Sequence, residues 1–384
     1  MKIVKTILLW ALIILLILLG VFGLMWAFNA PKALNENSET KQRLETELFA
    51  LDSVALEFVD ADRSTPALAD FAGDNKRELK GTVWFPKGDS KDHPLLVFSH
   101  GFNSYHKGSA HIAQYLAKNG YIVAAVDFPL SNAFSPAGNP QLLDIVNQPG
   151  DVSAVIDHML ELNADNTSPF YQRLDTEKIG IYGLSLGGLT TALVSFHPDY
   201  VDARVKVAAM MAPPLEAFSD TFYASNPDVA TLVLSGSLDL VVPEKANASD
   251  VIPRNKNGWF LSFDKGSHLG FANVSNPLRW MNNPDDFGCA VINPVLEDLQ
   301  LPQRWSDVLP NTNNVIRDVI VPAPCPDTPG QAMNGLKQQW LTRVAIAAFF
   351  DMHLRSEERA RKARDYFITT LAKENNELNL IAPR

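Results

Sequence analysis

Three side chains far apart in the sequence are of the types that together activate a hydroxyl for attack on an acyl carbon: Ser185, Asp239 and His268. A serine hydroxyl is a poor nucleophile until a base takes its proton, and an imidazole base must be held in the right tautomer by a carboxylate. Ser185 sits in Gly183-Leu184-Ser185-Leu186-Gly187, behind the apolar run Lys178 to Tyr182 and ahead of the helix-like Gly188 to Val194. Gly-x-Ser-x-Gly between a strand and a helix is the pattern of a nucleophile elbow. The turn strains the serine backbone and brings strand and helix so close that a side chain at Gly183 or Gly187 would collide. Taken alone the pattern also describes any glycine-rich turn, so its partners decide.

In the elbow-bearing fold the acid and the histidine follow the serine in that order. Only His197, His268 and His353 lie beyond Ser185. His197 closes the elbow's own helix and His353 ends a carboxy-terminal helix, both remote from the strand tips. His268, in Gly266-Ser267-His268-Leu269-Gly270, follows the strand Trp259 to Phe263 and is the expected base. Asp239 directly follows the buried strand Thr231 to Ser235 and is the expected acid. Asp199, Asp202 and Glu216 lie on connections or in a Pro-rich turn, and Asp264 is too near His268 to reach it. The oxyanion needs preorganised donors, expected from the backbone N–H groups of Leu186 and Phe102. Gly101 lets the His100-Gly101-Phe102 loop turn its amides inward. His100 reads as a structural hydrogen-bonding residue, and Tyr105 and His106 as candidate pocket residues.

The elements that must position these groups alternate strand and helix. An opening antiparallel pair is expected at Ser53 to Val59 and Arg77 to Pro86, followed by buried strands at His93 to His100, Tyr121 to Asp127, Lys178 to Tyr182, Val205 to Met211 and Thr231 to Ser235, with Trp259 to Phe263 the last. Helices are expected at Ser109 to Asn119, Asp151 to Leu162, Ser185 to Phe196 and Trp340 to Leu354, with Arg355 to Asn376 continuing helically. The polar loop Ser131 to Gln148 lies at a strand's carboxyl end, where ligand sites form in open α/β sheets. Residues 275–334 are rich in Pro, Asn and Asp and read as an inserted, largely irregular segment or lid.

Ahead of this domain, Ile7 to Phe28 is an uninterrupted apolar run, about 33 Å long as a helix and enough to cross a bilayer. Ala30-Pro31 suits cleavage poorly, so an uncleaved signal anchor is expected over residues 1–30. Lys2 and Lys5 place its amino end in the cytoplasm by the positive-inside bias, leaving the catalytic domain extracytoplasmic, periplasmic or extracellular. Lys32, Lys41 and Arg43 on the other flank reduce that asymmetry. Residues 31–50, with Leu44, Leu48 and Leu51 at helical spacing behind a Ser38 cap, read as a juxtamembrane helix or stalk, and 51–384 as the main domain.

The chain has 384 residues, 46% hydrophobic and 20% charged, enough for one large α/β core. A net charge of −10 and no dense basic cluster argue against a nucleic-acid partner. The two cysteines, Cys289 and Cys325, match neither a zinc-ligand spacing nor Cys-x-x-Cys. In an oxidising compartment they could form one disulfide; two unpaired buried thiols are the alternative. No metal or organic cofactor is expected.

With these residues in place the chain resembles serine α/β-hydrolases of the plasma-type platelet-activating factor acetylhydrolase and dienelactone-hydrolase-like group, and more loosely cutinase-like polyester hydrolases. The resemblance is carried by the opening hairpin Arg77 to Pro86, Phe98-Ser99-His100-Gly101-Phe102, the elbow Gly183 to Gly188, Ser237 to Pro243 and Gly266-Ser267-His268. Dienelactone hydrolases proper use a cysteine nucleophile where this chain has Ser185, and the 275–334 insertion has no counterpart. The resemblance implies an α/β-hydrolase fold, a mostly parallel sheet flanked by helices. The expected activity is hydrolysis of carboxylic esters, lipid or other amphipathic esters among them, through an acyl-enzyme on Ser185. Acyl transfer by the same triad and a non-catalytic hydrolase-fold binding protein at the membrane are the alternatives.

Overall fold

The computed structural model describes residues 2–68, 70–298, 304–310, 315–320, 324–325 and 330–383. The expected segment 275–334 therefore lies partly outside the described residues. In chain order the helices are α1 (Lys2–Phe28), α2 (Glu39–Glu45), α3 (Ala110–Lys118), α4 (Gln148–Ala164), α5 (Leu186–Phe196), α6 (Asp220–Ala224), α7 (Asp285–Asp298), α8 (Gly335–Leu354), α9 (Glu357–Asp365) and α10 (Leu371–Glu374). The strands are β1 (Leu51–Asp60), β2 (Arg77–Pro86), β3 (His93–Ser99), β4 (Ile122–Asp127), β5 (Leu174–Leu184), β6 (Val205–Met211), β7 (Ala230–Gly236), β8 (Gly258–Phe263) and β9 (Leu378–Ile381).

Among the described residues the nine strands join one sheet in the order β1-β2-β4-β3-β5-β6-β7-β8-β9. The run from β4 to β8 is parallel, with β1 and β2 antiparallel at one edge and β9 antiparallel at the other. The central strands are near-continuous apolar runs because helices cover both of their faces. Side chains alternate between two cores as a strand's period of two requires. Leu95, Val97, Ile179 and Ile181 pack with α4 and α5 on one face. Leu96, Phe98, Tyr182 and Leu184 pack with α3 and α8 on the other. The sheet is thus an α/β-hydrolase-type scaffold whose parallel strands all end on the side that carries the elbow.

Two expectations are corrected and one element is added. Trp259 to Phe263 is not the last strand, because β9 adds four residues antiparallel to β8; so short a run carries too few alternations to read from sequence. Within residues 275–334, α7 occupies fourteen residues as a regular helix. Its start follows helix rules that its Pro and Asp content obscured: Pro284 precedes it, Asp285 and Asp286 occupy its first turn, and the Asn283 side chain accepts the Asp285 N–H. The carboxy-terminal helix is not continuous: Arg355 is extended, α9 follows, and a π-helical turn at Tyr366–Thr370 precedes α10.

Residues 31–50 contribute one short helix, α2, capped by Ser38 as expected. It lies against α10 rather than standing clear. Glu374 accepts the N–H groups of Glu39 and Thr40 at 2.9 and 2.8 Å, placing a carboxylate at the helix amino end. Thr40 is fully buried and also bonds the Tyr366 hydroxyl. Among the described residues α1 alone is long and apolar enough to cross a membrane.

Candidate active site

The tight turn between β5 and α5 holds Ser185 at φ 57°, ψ −121°, in the left-handed region that non-glycine residues rarely occupy. Two contacts enforce it. The Ser185 N–H donates to the Met211 carbonyl at the tip of β6, 2.8 Å away. A methyl group at Gly183 would overlap the Gly187 carbonyl, and one at Gly187 would overlap the Ser99 carbonyl, so both elbow glycines are required by close approach. The turn leaves Ser185 half-buried on the wall of a cavity of about 660 Å³.

His268 reaches the same cavity from the loop after β8 and is 4% exposed. Its Nδ1 donates to Asp239 Oδ2 at 2.8 Å. The other Asp239 oxygen accepts the N–H groups of Val241 and Val242 at 2.8 and 2.7 Å, which fixes the carboxylate against rotation. Burial acts to lower the His268 pKa, but the Asp239 charge and hydrogen bond outweigh it, and the imidazole stays protonated above its ordinary 6.5. An imidazole donating through Nδ1 presents Nε2 as its free basic atom. The structure therefore brings Ser185 and His268 to one cavity and joins His268 to Asp239.

Leu186 and Phe102 line the same cavity. Leu186 opens α5, where backbone N–H groups have no intrahelical acceptor. Phe102 follows β3, and its neighbour Gly101 lies so near the elbow that an added Cβ would sit 3.3 Å from the Ser185 Cβ. The remaining histidines stand elsewhere. His100 donates from Nδ1 to the Gly101 carbonyl and accepts the Phe128 N–H at Nε2, a buried brace whose pKa burial pushes down to about 4. His197 accepts the Asp199 N–H, and His353 packs edge-on against Phe349. Tyr105 lines the cavity, whereas His106 does not: its Nδ1 pairs with Asp127 Oδ1 at 2.9 Å.

Sequence reasoning missed Asp285. Its fully buried carboxylate accepts three backbone N–H groups, those of His268 (2.8 Å), Leu269 (2.7 Å) and Leu240 (3.1 Å). It joins the loop that carries His268 to the loop that carries Asp239. Burial, then the nearby Asp239 charge, push its pKa up to about 6. Pro284 ahead of the Asp285-Asp286 pair is a helix-start signal masked by the Pro and Asp content around it, and no local pattern discloses three tertiary acceptor bonds. Also missed was the wall that α7 provides, where Phe287, Gly288, Val291 and Ile292 line the cavity. Cys289 of α7 is disulfide-bonded to Cys325, whose N–H donates to the Leu240 carbonyl at 2.6 Å.

The solved structure of a ferulic acid esterase from Streptomyces cinnamoneus superposes with a TM-score of 0.52 at 19% identity, covering 88% of this chain and 97% of that one. The likeness is one of fold. No curated protein sequence matches the chain. A family model described as PET hydrolase-like matches residues 79–283, from β2 to just before α7, a span that contains Ser185, Asp239 and His268. Of the two resemblances read from the sequence, this is the looser, the polyester hydrolases. The match takes in more than half of the 384 residues, and the chain belongs to the PET hydrolase-like family of ester-hydrolysing α/β-hydrolases.

Proposed function

We propose that the chain is a membrane-anchored serine hydrolase that cleaves carboxylic esters through an acyl-enzyme on Ser185. The observation that carries this reading is the 2.8 Å His268–Asp239 bond in a base that shares one cavity with a serine on a strained elbow. His268 Nε2 takes the Ser185 hydroxyl proton as Oγ attacks the acyl carbon, and the Leu186 and Phe102 amides receive the oxyanion. The imidazolium, held by Asp239, returns the proton to the departing alcohol. Water then attacks the acyl-enzyme by the same proton route in reverse.

The cavity walls favour an apolar acyl group, with Leu142, Leu184, Val242, Leu269, Val291 and Trp305 around Ser185. Lipid and other amphipathic esters suit such a site, in keeping with the resemblance to platelet-activating factor acetylhydrolases. A single anchor over residues 1–30 with the catalytic domain extracytoplasmic agrees with the lysines ahead of the apolar run and with the Cys289–Cys325 disulfide. A chain-length series of p-nitrophenyl esters tests the reading: turnover with an acyl optimum beyond acetate supports it, and no turnover of any member by folded protein refutes it.

A further inference from the structure

The wall of the active-site cavity is continuous with the segment that grips α1. Asn273, Val274 and Pro277 line the cavity. Two residues after Pro277, the Arg279 guanidinium lies over the Trp26 ring with its carbon 3.3 Å from the centroid, and its Nε donates to the Trp26 carbonyl at 3.1 Å. Trp280 meets Phe22 edge-on, ring centroids 6.3 Å apart. Asn334, which caps α8, donates to the Asn29 carbonyl at 2.7 Å. Successive turn bonds, Leu278 to Val274 and Met281 to Leu278, wind this segment helically, so Pro277 and Trp280 are separated by only about 5 Å along it.

Phe22 lies six residues inside the end of α1, about 9 Å along the helix axis. The apolar span Val4–Phe28 is about 37 Å long against a hydrocarbon core of about 30 Å. Phe22 thus lies about 2 to 6 Å inside the hydrocarbon boundary, and Trp280 packs against it beside that boundary, where tryptophan and tyrosine gather. The mouth of the neighbouring cavity is edged by exposed apolar side chains. Phe134 is 73% exposed and stacks edge-on with Tyr105, and Phe287 and Val291, one helical turn apart on α7, are each 43% exposed. On a water-facing rim such a cluster would be costly to hydrate.

We infer that the rim formed by Phe134, Phe287, Val291 and Trp280 is a membrane-docking surface, and that the cavity takes its ester from the leaflet at the carboxy-terminal end of α1. The occupant is the lipid bilayer itself, because α1 fixes the domain beside it. The inference rests on the ester-hydrolase reading of the same cavity, and it adds the direction from which substrate arrives.

The test uses the full chain reconstituted in phosphatidylcholine vesicles, with a fluorogenic long-chain ester lipid in the same bilayer and p-nitrophenyl acetate in the water. In Arg279→Ala/Trp280→Ala, hydrolysis of the bilayer ester is expected to fall about tenfold or more, because the effective concentration of substrate at the mouth is lost. Hydrolysis of p-nitrophenyl acetate is expected to stay near wild type. Equal rates on the bilayer ester overturn the inference, as does a wild-type protein that cleaves only the soluble ester. A wild type that cleaves neither overturns the ester-hydrolase reading instead. Should the double variant lose both activities, Phe287→Cys carrying an environment-sensitive fluorophore decides: quenching by doxyl-labelled lipid is expected, and its absence overturns docking.

Discussion

The Asp285 carboxylate accepts the backbone N–H of His268 at 2.8 Å, so the loop bearing the proposed base is held by a residue that lies outside the matched family segment, which ends at 283. Through Leu240 the same carboxylate holds the loop that follows Asp239. If this bridge sets the His268–Asp239 geometry, Asp285→Ala should lower kcat by about tenfold to a hundredfold, the order that a small misplacement of catalytic groups costs. KM should change little. Asp285→Asn keeps one acceptor oxygen and should recover part of the loss; equal losses in both variants would count against a positioning role.

The pH dependence has a defined sign. In the proposed mechanism ester cleavage needs neutral His268, and Asp239 holds its pKa above 6.5 against the opposing effect of burial, so kcat/KM should fall with acid from a midpoint above 6.5. Protonation of Asp285 near 6 weakens its acceptor bonds and acts in the same direction. The acid limb is therefore expected to steepen below 6, approaching two protons. A single-proton limb centred below 6.5 would show that Asp239 does not dominate the imidazole.

The disulfide closes a loop with a sequence separation of 36 residues. Chain-entropy arguments assign such a crosslink about 3 to 4 kcal/mol of stability. Its two ends meet one residue: Cys325 donates to the Leu240 carbonyl, while Asp285 on the Cys289 helix accepts the Leu240 N–H. Cys289→Ser/Cys325→Ser should therefore lower the denaturant midpoint and also reduce turnover of apolar esters, because α7 forms part of the cavity wall. Loss of stability without any change in ester selectivity would separate the crosslink from the site.

Arg77 on β2 is fully buried, with Nε 2.5 Å from Asp151 Oδ1 and Nη2 3.0 Å from Asp144 Oδ1. Asp144 also accepts the Leu130 N–H, pinning the loop beyond β4. Removing the guanidinium leaves the buried Asp144 without a cation and Asp151 with Arg63 alone, 2.8 Å away, so Arg77→Met should cost about 3 to 5 kcal/mol in equilibrium unfolding. A cost under about 1 kcal/mol would mean that water reaches the pair and screens it.

Much of the scaffold was legible because its signals are local. The runs at β3, β4 and β6 are continuous apolar stretches, and Gly183 and Gly187 mark a turn where backbone meets backbone. Chain order and strand position singled out His268 and Asp239, which are hydrogen-bonded to each other. What escaped depends on distant parts of the chain. Asp285 sits in a segment that reads as irregular, and only the folded loops supply its three donors; β9 becomes a strand only because β8 offers a free edge. His106 neighbours the cavity-lining Tyr105 in sequence, yet Asp127 turns it away.

The most direct test of the central claim is covalent labelling of the folded full chain with a fluorophosphonate, followed by peptide mapping. A serine activated on the strained elbow should be modified at Ser185 alone, with ester hydrolysis lost in step. Ser185→Ala should abolish both labelling and turnover, a loss of about a thousandfold or more. A folded protein that hydrolyses esters but is not labelled at Ser185, or a Ser185→Ala variant that retains turnover, would contradict the account.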